Sequence, residues 1–206
     1  MRFAVEISGL GALREFAERL AGVFRAGDIV ILSGELGAGK TTLVRAVSDA
    51  LGVDVRSVSS PTFVIMNEYA ARGGLRVIHA DAYRVRGDDE FEAAGFDAAR
   101  ADDAVTLVEW GERVAPALGP APARLTLRVT GETTREIALD LPESWAAREG
   151  IGALGAQGGC PVTGEPVGPD SPAYPFSSER ARLADLHRWL SGSYRIGRDD
   201  TADEGG

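Results

Sequence analysis

The sequence predicts an α/β fold with a mostly parallel central sheet, helices on both faces and a small irregular C-terminal module. Two short apolar runs, Ile29–Leu32 and Val105–Val108, have the composition of buried parallel strands. A glycine-rich loop follows the first run and leads into a segment with the spacing of a helix. This combination is typical of a layered α/β domain.

The remaining elements follow from periodicity and turn residues. Apolar residues recur at helical spacing near both ends of the chain, and alternating residues around Gly131 predict a hairpin. In order, the predicted elements are a helix over 10–24, a strand over 29–32, a helix over 41–51, strands over 64–69 and 76–80, a helix over 88–94, a strand over 105–108, a hairpin over 124–139 and a helix over 178–190.

Changes of composition divide the 206 residues into four regions. Residues 1–145 contain the predicted α/β domain, and the glycine-rich residues 146–159 are typical of a flexible linker. Residues 160–198 form a small module. Residues 199–206 are an acidic tail that we expect to be disordered.

Charge and cysteine content limit the function. The net charge of −9 argues against broad, direct binding to nucleic acid, so a partner would have to hold any RNA or DNA. The single cysteine, Cys160, excludes an intrachain disulfide, and no apolar run approaches the roughly 20 residues that cross a bilayer. The N-terminus has no secretion signal, so we expect a cytoplasmic protein without membrane association.

The loop GELGAGKTT, residues 34–42, fits the phosphate-binding pattern G-x4-G-K-[ST] in full. Its backbone N–H groups and the following helix N-terminus would face phosphate oxygens. Lys40 is the only lysine among 22 lysine and arginine residues; a compact ammonium suits this cradle and a planar guanidinium does not. We therefore expect a P-loop NTPase whose nucleotide contacts are Glu35, Leu36, Gly37, Ala38, Gly39, Lys40, Thr41 and Thr42.

Two acids that directly follow predicted strands are candidates for the reaction side of the site. Glu109 is expected beside Mg²⁺, and Asp81 at the end of the neighbouring strand, because parallel strands end at the edge where the loop opens. Either acid could instead cap a loop or pair with an arginine. Trp110 could pack on the nucleotide or seal the core, and His79 is interpreted as a packing residue.

Four motifs occur in a fixed order: GELGAGKTT at 34–42, SPTF at 60–63, HADAYR at 79–84 and LVEW at 107–110. This set resembles the TsaE family (also called YjeE), small P-loop ATPases of bacterial tRNA threonylcarbamoyladenosine synthesis. The resemblance covers about residues 10–140. It implies binding of ATP and Mg²⁺, slow hydrolysis of ATP and dependence on partners.

The resemblance also implies a role for each matching residue. Lys40 would bind phosphate, Thr41 and Glu109 would hold Mg²⁺, and Asp81 would be essential for turnover. The implied catalytic residues are Lys40, Asp81 and Glu109, and the further nucleotide contacts are Ser60, Thr62 and Trp110. One departure concerns the base: where many family members have a threonine, this chain has Leu13, which leaves the adenine contacts open.

The implied partners are TsaB-like and TsaD-like proteins, which transfer a threonylcarbamoyl group to adenosine 37 of tRNAs reading ANN codons. The chain would meet tRNA only through that complex. We expect a nucleotide-driven switch in which γ-phosphate orders residues 60–63 and hydrolysis releases them.

A second set of motifs lies in the C-terminal segment: CPVTG at 160–164, PFSSERAR at 175–182, LHRWL at 186–190 and YRI at 194–196. It resembles the YacG family of small zinc-binding inhibitors of DNA gyrase. The four zinc-ligand positions implied by that resemblance hold Cys160, Thr163, Ser177 and Ala181. Because a structural zinc site needs four Cys or His ligands, we expect a degenerate module without zinc that could still contact gyrase through residues 160–198.

Two other functions are compatible with a P-loop. One is a nucleotide kinase, although no segment between the loop and Glu109 has the character of an arginine-rich lid. The other is a gyrase-binding module that senses ATP. Phosphate transfer to an added nucleoside or nucleotide would favour the first, and gyrase inhibition would favour the second.

Overall fold

One seven-stranded sheet organises the first part of the chain. In the computed structural model, which describes residues 1–61, 65–96, 102–155, 162–163, 173 and 177–190, the strands occur in the spatial order β1-β7-β6-β2-β5-β4-β3. Strands β6, β2, β5 and β4 are parallel, and antiparallel pairs complete both edges. The strands are β1 Arg2–Ser8, β2 Ile29–Ser33, β3 Met66–Ala70, β4 Arg76–Asp81, β5 Ala104–Glu109, β6 Ala123–Val129 and β7 Thr134–Asp140.

Helices cover both faces of this sheet. The α-helices of this part of the chain are α1 Gly9–Val23, α2 Lys40–Ala50 and α3 Asp88–Ala93. A further helix, α4 Glu179–Leu190, belongs to the C-terminal segment. Short 3₁₀ helices span Val55–Ser57, Arg72–Gly74, Gly111–Leu118, Glu143–Trp145 and Ile151–Leu154.

Two apolar clusters form the core, one on each face of the sheet. Helices α1 and α2 pack on the face that carries Leu107, and α3 and the helix Gly111–Leu118 pack on the face that carries Val108. The two faces differ because successive side chains of a strand point in opposite directions. The expected fold class, α/β with a parallel sheet centre and helices on both faces, is confirmed.

Most predicted elements match the observed ones to within one or two residues. The strand β1 was not predicted; it lies at the sheet edge and pairs antiparallel with β7, with Arg2 opposite Asp140. The predicted strand over 64–69 is observed from Met66, and residues 62–64 lie outside the described residues.

The prediction of a flexible linker over 146–159 is wrong for residues 146–155. We call residues 141–155 the strap. Trp145 and Leu154 of the strap are buried in the core cluster on the α1 face. Arg148 Nη1 and Nη2 donate to the two carboxylate oxygens of Asp28, the latter at 2.8 Å, and the guanidinium lies 4.1 Å from the centroid of the Trp145 ring. Residues 156–159 lie outside the described residues.

The chain divides into two compact units, residues 1–157 and residues 158–206. In the second unit, α4 occupies the range where a helix was predicted, and the predicted acidic tail lies outside the described residues. Within the described part of the chain, no helix is both long enough and apolar enough to cross a membrane.

Candidate functional site

The loop between β2 and α2 has the backbone of a phosphate cradle. Gly34, Gly37 and Gly39 adopt φ values of 140°, 81° and 104°, a region that L side chains rarely occupy. At Gly34 a Cβ atom would also overlap the carbonyl group of Leu127. Helix α2 begins at Lys40, so the free N–H groups of its first turn open beside the loop.

Lys40 is buried, with 4% of its surface exposed. Its ammonium group donates to the carbonyl oxygens of Gly34 at 2.7 Å and Glu35 at 2.9 Å, and it lies 3.9 Å from the centroid of the Trp110 ring. Burial lowers the pKa of Lys40 below its ordinary value of 10.5, although the nearby carboxylates of Glu109, Glu112 and Asp81 oppose that shift. The carbonyl groups of the loop therefore fix the position of the Lys40 ammonium group.

Thr41, Glu109 and His79 meet at one carboxylate oxygen. The Thr41 hydroxyl donates to Oε1 of Glu109 at 2.7 Å, and Nε2 of His79 lies 2.9 Å from the same oxygen. Glu109 ends β5 and is 3% exposed, and His79 in β4 is fully buried. Hydroxyl and carboxylate oxygens side by side are a donor set that suits Mg²⁺.

Asp81 lies beside Glu109 at the end of the adjacent strand. The parallel register places the two residues opposite each other. Oδ1 of Asp81 accepts the backbone N–H of Tyr83 at 2.9 Å, an Asx-type turn that fixes the carboxylate where the chain leaves the sheet. Both predicted acids are therefore at the same edge as the loop.

Trp110 has a left-handed backbone conformation, which is rare for a bulky residue. Its φ of 58° makes it the only non-glycine residue with positive φ in the described part of the chain, a strained region for a bulky side chain. Its N–H donates to the carbonyl oxygen of Leu32 at 2.9 Å, and its ring lies 5.1 Å from that of Tyr83. This turn directs the indole towards Lys40 and also packs it against the core cluster around Val108.

These groups surround a cavity of about 400 Å³. Of the residues predicted from sequence, the cavity brings together Leu36, Gly37, Gly39, Lys40, Thr41, Thr42, Ser60, Asp81, Glu109 and Trp110. Glu35 and Ala38 belong to the same loop but do not line this cavity, and Thr62 lies outside the described residues.

A second cavity, of about 330 Å³, opens on the other side of the loop and shares Gly37, Gly39 and Thr42 with the first. Its walls are mostly apolar and include Leu13 of α1. The leucine identified as a departure from the family pattern is therefore adjacent to the phosphate cradle.

The model of the family described as "Threonylcarbamoyl adenosine biosynthesis protein TsaE" matches residues 8–137. The chain belongs to the TsaE family. The matched segment runs from the end of β1 to within β7 and contains every element that positions the cavity.

Curated relatives agree with this assignment. A Streptomyces coelicolor protein named tRNA threonylcarbamoyladenosine biosynthesis protein TsaE is 44% identical over 144 residues, covering 66% of this chain and 96% of that protein. The Bacillus subtilis protein of the same name is 36% identical over 124 residues, covering 60% and 76%. The crystal structure of Bacillus subtilis YdiB, at 24% identity, shares the fold with a TM-score of 0.56 and covers 75% of this chain and 94% of that one.

Sequence reasoning missed two arginines that support this TsaE-family site. Arg135 of β7 donates from Nε to the carbonyl oxygen of Ala38 at 3.1 Å and so ties the loop to the sheet. Arg113 donates to the carbonyl oxygen of Tyr83 at 2.8 Å. Neither belongs to a local motif, and only the sheet order and the turn after β5 reveal these contacts.

The C-terminal segment has a family match of its own: the model of "DNA gyrase inhibitor YacG" matches residues 159–205. Thr163 and Ser177, two of the implied zinc-ligand positions, lie close together, with 3.0 Å between their hydroxyl oxygens. Ala181, at a third position, is 4% exposed and offers no donor atom. Cys160 lies outside the described residues.

Proposed function

We propose that this chain is the ATP-binding and ATP-hydrolysing component of threonylcarbamoyladenosine formation at position 37 of tRNAs that read ANN codons. The relatives described above are named for this biosynthesis. The observation that carries the proposal is the convergence of Lys40, Thr41, Asp81 and Glu109 on one cavity at the phosphate loop.

The residues present fit ATP and Mg²⁺. The glycine backbone and Lys40 would hold the phosphates, while the Thr41 hydroxyl and the Glu109 carboxylate, 2.7 Å apart, would hold the cation or its water. When bound, Mg²⁺ neutralises charge on the phosphates. Trp110 keeps Lys40 directed at the cavity by contact of its ring with the ammonium group.

Asp81 is the residue we assign to turnover. Its carboxylate is fixed by the N–H of Tyr83 and lines the cavity beside Lys40 and Glu109; these contacts support the proposal that Asp81 orients an attacking water. The cavity is open to solvent on the side of the phosphate loop, where the lining residue Leu36 is 80% exposed. We therefore propose weak hydrolysis by the chain alone and faster hydrolysis when partners cover the site.

The base of the nucleotide would occupy the second cavity. Its leucine and isoleucine walls suit a flat aromatic ring, and Leu13 contributes apolar contact where a threonine would offer a hydroxyl. A base held in this way is selected by shape more than by hydrogen bonds.

The partners we propose are TsaB-like and TsaD-like proteins, with tRNA held by their complex and the whole acting in the cytoplasm. Ser60 lines the phosphate cavity and begins the SPTF segment. This position is suited to sensing γ-phosphate and passing the nucleotide state to a partner surface. The switch would reset the partner complex between rounds of modification.

A binding experiment tests the site directly. We expect titration calorimetry with ADP and Mg²⁺ to show binding by the native chain and at least about tenfold weaker binding by Lys40→Arg, because the guanidinium keeps the charge but not the compact shape. Glu18→Gln, an exposed change on α1, is the control and should bind as the native chain does. Native binding by Lys40→Arg, or phosphate transfer to an added nucleoside, would contradict the proposal.

The YacG match favours a second, separate role for the C-terminal unit. We propose that residues 160–198 form a zinc-free gyrase-binding module, distinct from the first compact unit of residues 1–157. Two hydroxyl groups and an alanine at three of the four implied ligand positions support the absence of zinc.

Two measurements on the full chain test this role. Elemental analysis should find no zinc, and about one zinc per chain would refute that part of the proposal. In a supercoiling assay the chain should inhibit gyrase, and Leu183→Asp, which alters a side chain that is 54% exposed on α4, should inhibit less. No inhibition by the native chain would refute the gyrase role.

A further inference from the structure

His79 is a polar residue in an apolar place. It lies in the middle of β4, between β3 and β5, and its side chain is fully buried. Because strand residues alternate, His79 shares a face of the sheet with Asp81, and Glu109 faces the same side from β5. In the parallel register Leu107 is directly opposite His79, and Glu109 lies two residues further along β5 on the same face. The imidazole therefore reaches the carboxylate diagonally across two strands.

The contact has a defined direction. Oε1 of Glu109 accepts from the Thr41 hydroxyl at 2.7 Å, and Nε2 of His79 is 2.9 Å from the same atom. A carboxylate oxygen accepts, so Nε2 carries the hydrogen that it donates. Two donors from different elements thus fix Oε1, and neither of these bonds uses Oε2.

Packing alone does not explain this arrangement. Nδ1 of His79 is buried without a hydrogen-bond partner among the described residues, which opposes folding relative to an apolar side chain of the same size. A leucine or methionine would fill the space without that penalty. Within the described part of the chain, the bond to Glu109 is the one polar interaction that the His79 side chain makes.

We propose that His79 is a positioning residue for the divalent cation of the bound nucleotide. By holding Oε1 of Glu109 together with the Thr41 hydroxyl, it fixes the orientation of the carboxylate and leaves Oε2 free of both bonds, so that Oε2 can serve the cation or its water. This inference rests on the proposed role of Glu109. Removal of a residue that hydrogen-bonds to a metal ligand typically lowers the metal affinity about 10-fold to 100-fold.

The test measures cation binding apart from catalysis. Mn²⁺ replaces Mg²⁺ and is followed by electron paramagnetic resonance in the complex of the full chain with ADP. We expect His79→Met, which packs but cannot donate, to weaken Mn²⁺ binding about tenfold or more. Binding of ADP in EDTA should change less than about twofold, because Lys40 and the loop are untouched. Native Mn²⁺ affinity in His79→Met would overturn the proposal.

A matched pair of amides separates donation from packing. The amide nitrogen of Gln reaches the position of Nε2, whereas that of Asn reaches only the position of Nδ1. His79→Gln should retain most of the Mn²⁺ affinity and His79→Asn should lose it, and this comparison also serves if His79→Met does not fold. Equal losses in the two amide variants would overturn the proposal.

A combined variant shows whether His79 acts through Glu109. Adding His79→Met to Glu109→Gln should cause no further loss, whereas independent, additive losses would count against the inference. If Glu109→Gln itself leaves Mn²⁺ binding at the native level, the proposed cation site is wrong, and the role proposed for His79 is then wrong as well. That result is distinct from failure at His79 alone.

Discussion

At the scale of single residues, the surroundings of Lys40 explain why an arginine-rich chain uses one lysine at this position. Its ammonium group fits between two loop carbonyls and the face of Trp110. A guanidinium has five donors in a fixed plane and cannot occupy that space without displacing the loop. The residue type is thus dictated by the shape of the cradle as well as by charge.

The lowered pKa of Lys40 predicts how nucleotide affinity changes with pH. Phosphate favours the charged lysine, so ADP binding raises the pKa of Lys40 and takes up a proton when the pH exceeds that pKa in the free chain. Affinity should therefore be level near neutrality and fall as the pH rises through the lowered pKa, by up to about tenfold per pH unit. Calorimetry in EDTA from about pH 7 to about pH 10 measures this. Constant affinity over that range would contradict the prediction. Lys40→Ala is the control: it should bind ADP weakly, with an affinity that does not change over the same pH range.

Gly34 offers a test of the cradle backbone. Gly34→Ala would force a Cβ atom onto the Leu127 carbonyl at a φ of 140°. We expect about 1–3 kcal/mol of lost unfolding free energy and about tenfold or greater loss of ADP affinity. Gly22→Ala is the control, because a Cβ atom at Gly22 would meet nothing within 4 Å and α1 is helical there. Urea unfolding and ADP titration distinguish the two, and similar behaviour of both variants would contradict the argument.

At the scale of elements, local pattern and long-range pairing differ in how far they can be predicted. The loop, α1, α2 and the strands β2, β4 and β5 carry strong local signals and were predicted. The edge strand β1 has apolar residues at alternate positions, Phe3, Val5 and Ile7. Its partner β7 lies more than 120 residues away along the chain, and the sequence of one strand does not identify the strand with which it pairs.

The site shows the same division. The motifs predicted Lys40, Thr41, Asp81 and Glu109 by residue type. The contact of His79 with Glu109 depends on a diagonal across two strands, and that of Arg135 with the loop depends on the sheet order. Neither can be derived from local spacing.

The strap is the clearest case in which composition misled. Its glycines are typical of a linker, yet Leu154 is fully buried and Arg148 pairs with Asp28, whose side chain is 9% exposed. Burial there depends on a groove beside α1 and the start of β2, which exists only in the folded domain.

The strap gives a prediction about stability. Arg148→Met should lower the free energy of unfolding by about 2–4 kcal/mol, because it leaves the buried Asp28 carboxylate without its ion-pair partner and with only the Arg25 N–H donating to it. Arg128→Met is the matched control: its side chain is 71% exposed and it lies 3.6 Å from Glu136, so a loss below about 0.5 kcal/mol is expected. Equal losses in urea unfolding would show that the strap does not stabilise the domain.

At the scale of the whole molecule, two compact units correspond to two family matches. The first contains the cavity and the TsaE match, and the second contains the YacG match. The net charge of −9 argues against broad, direct binding of nucleic acid by the chain itself, which agrees with the proposal that partner proteins hold the tRNA. Nucleotide binding is expected to involve only the first unit.

The most direct test of the central claim is threonylcarbamoyladenosine formation in a reconstituted system with TsaB-like and TsaD-like partners and tRNA. We predict repeated rounds of modification with the native chain and ATP, and also with the Glu18→Gln control. Modification should be lost with Glu109→Gln or Asp81→Asn, since each removes a charge from the reaction side of the cavity. Full modification with either variant, or full modification when this chain is omitted, would contradict the account.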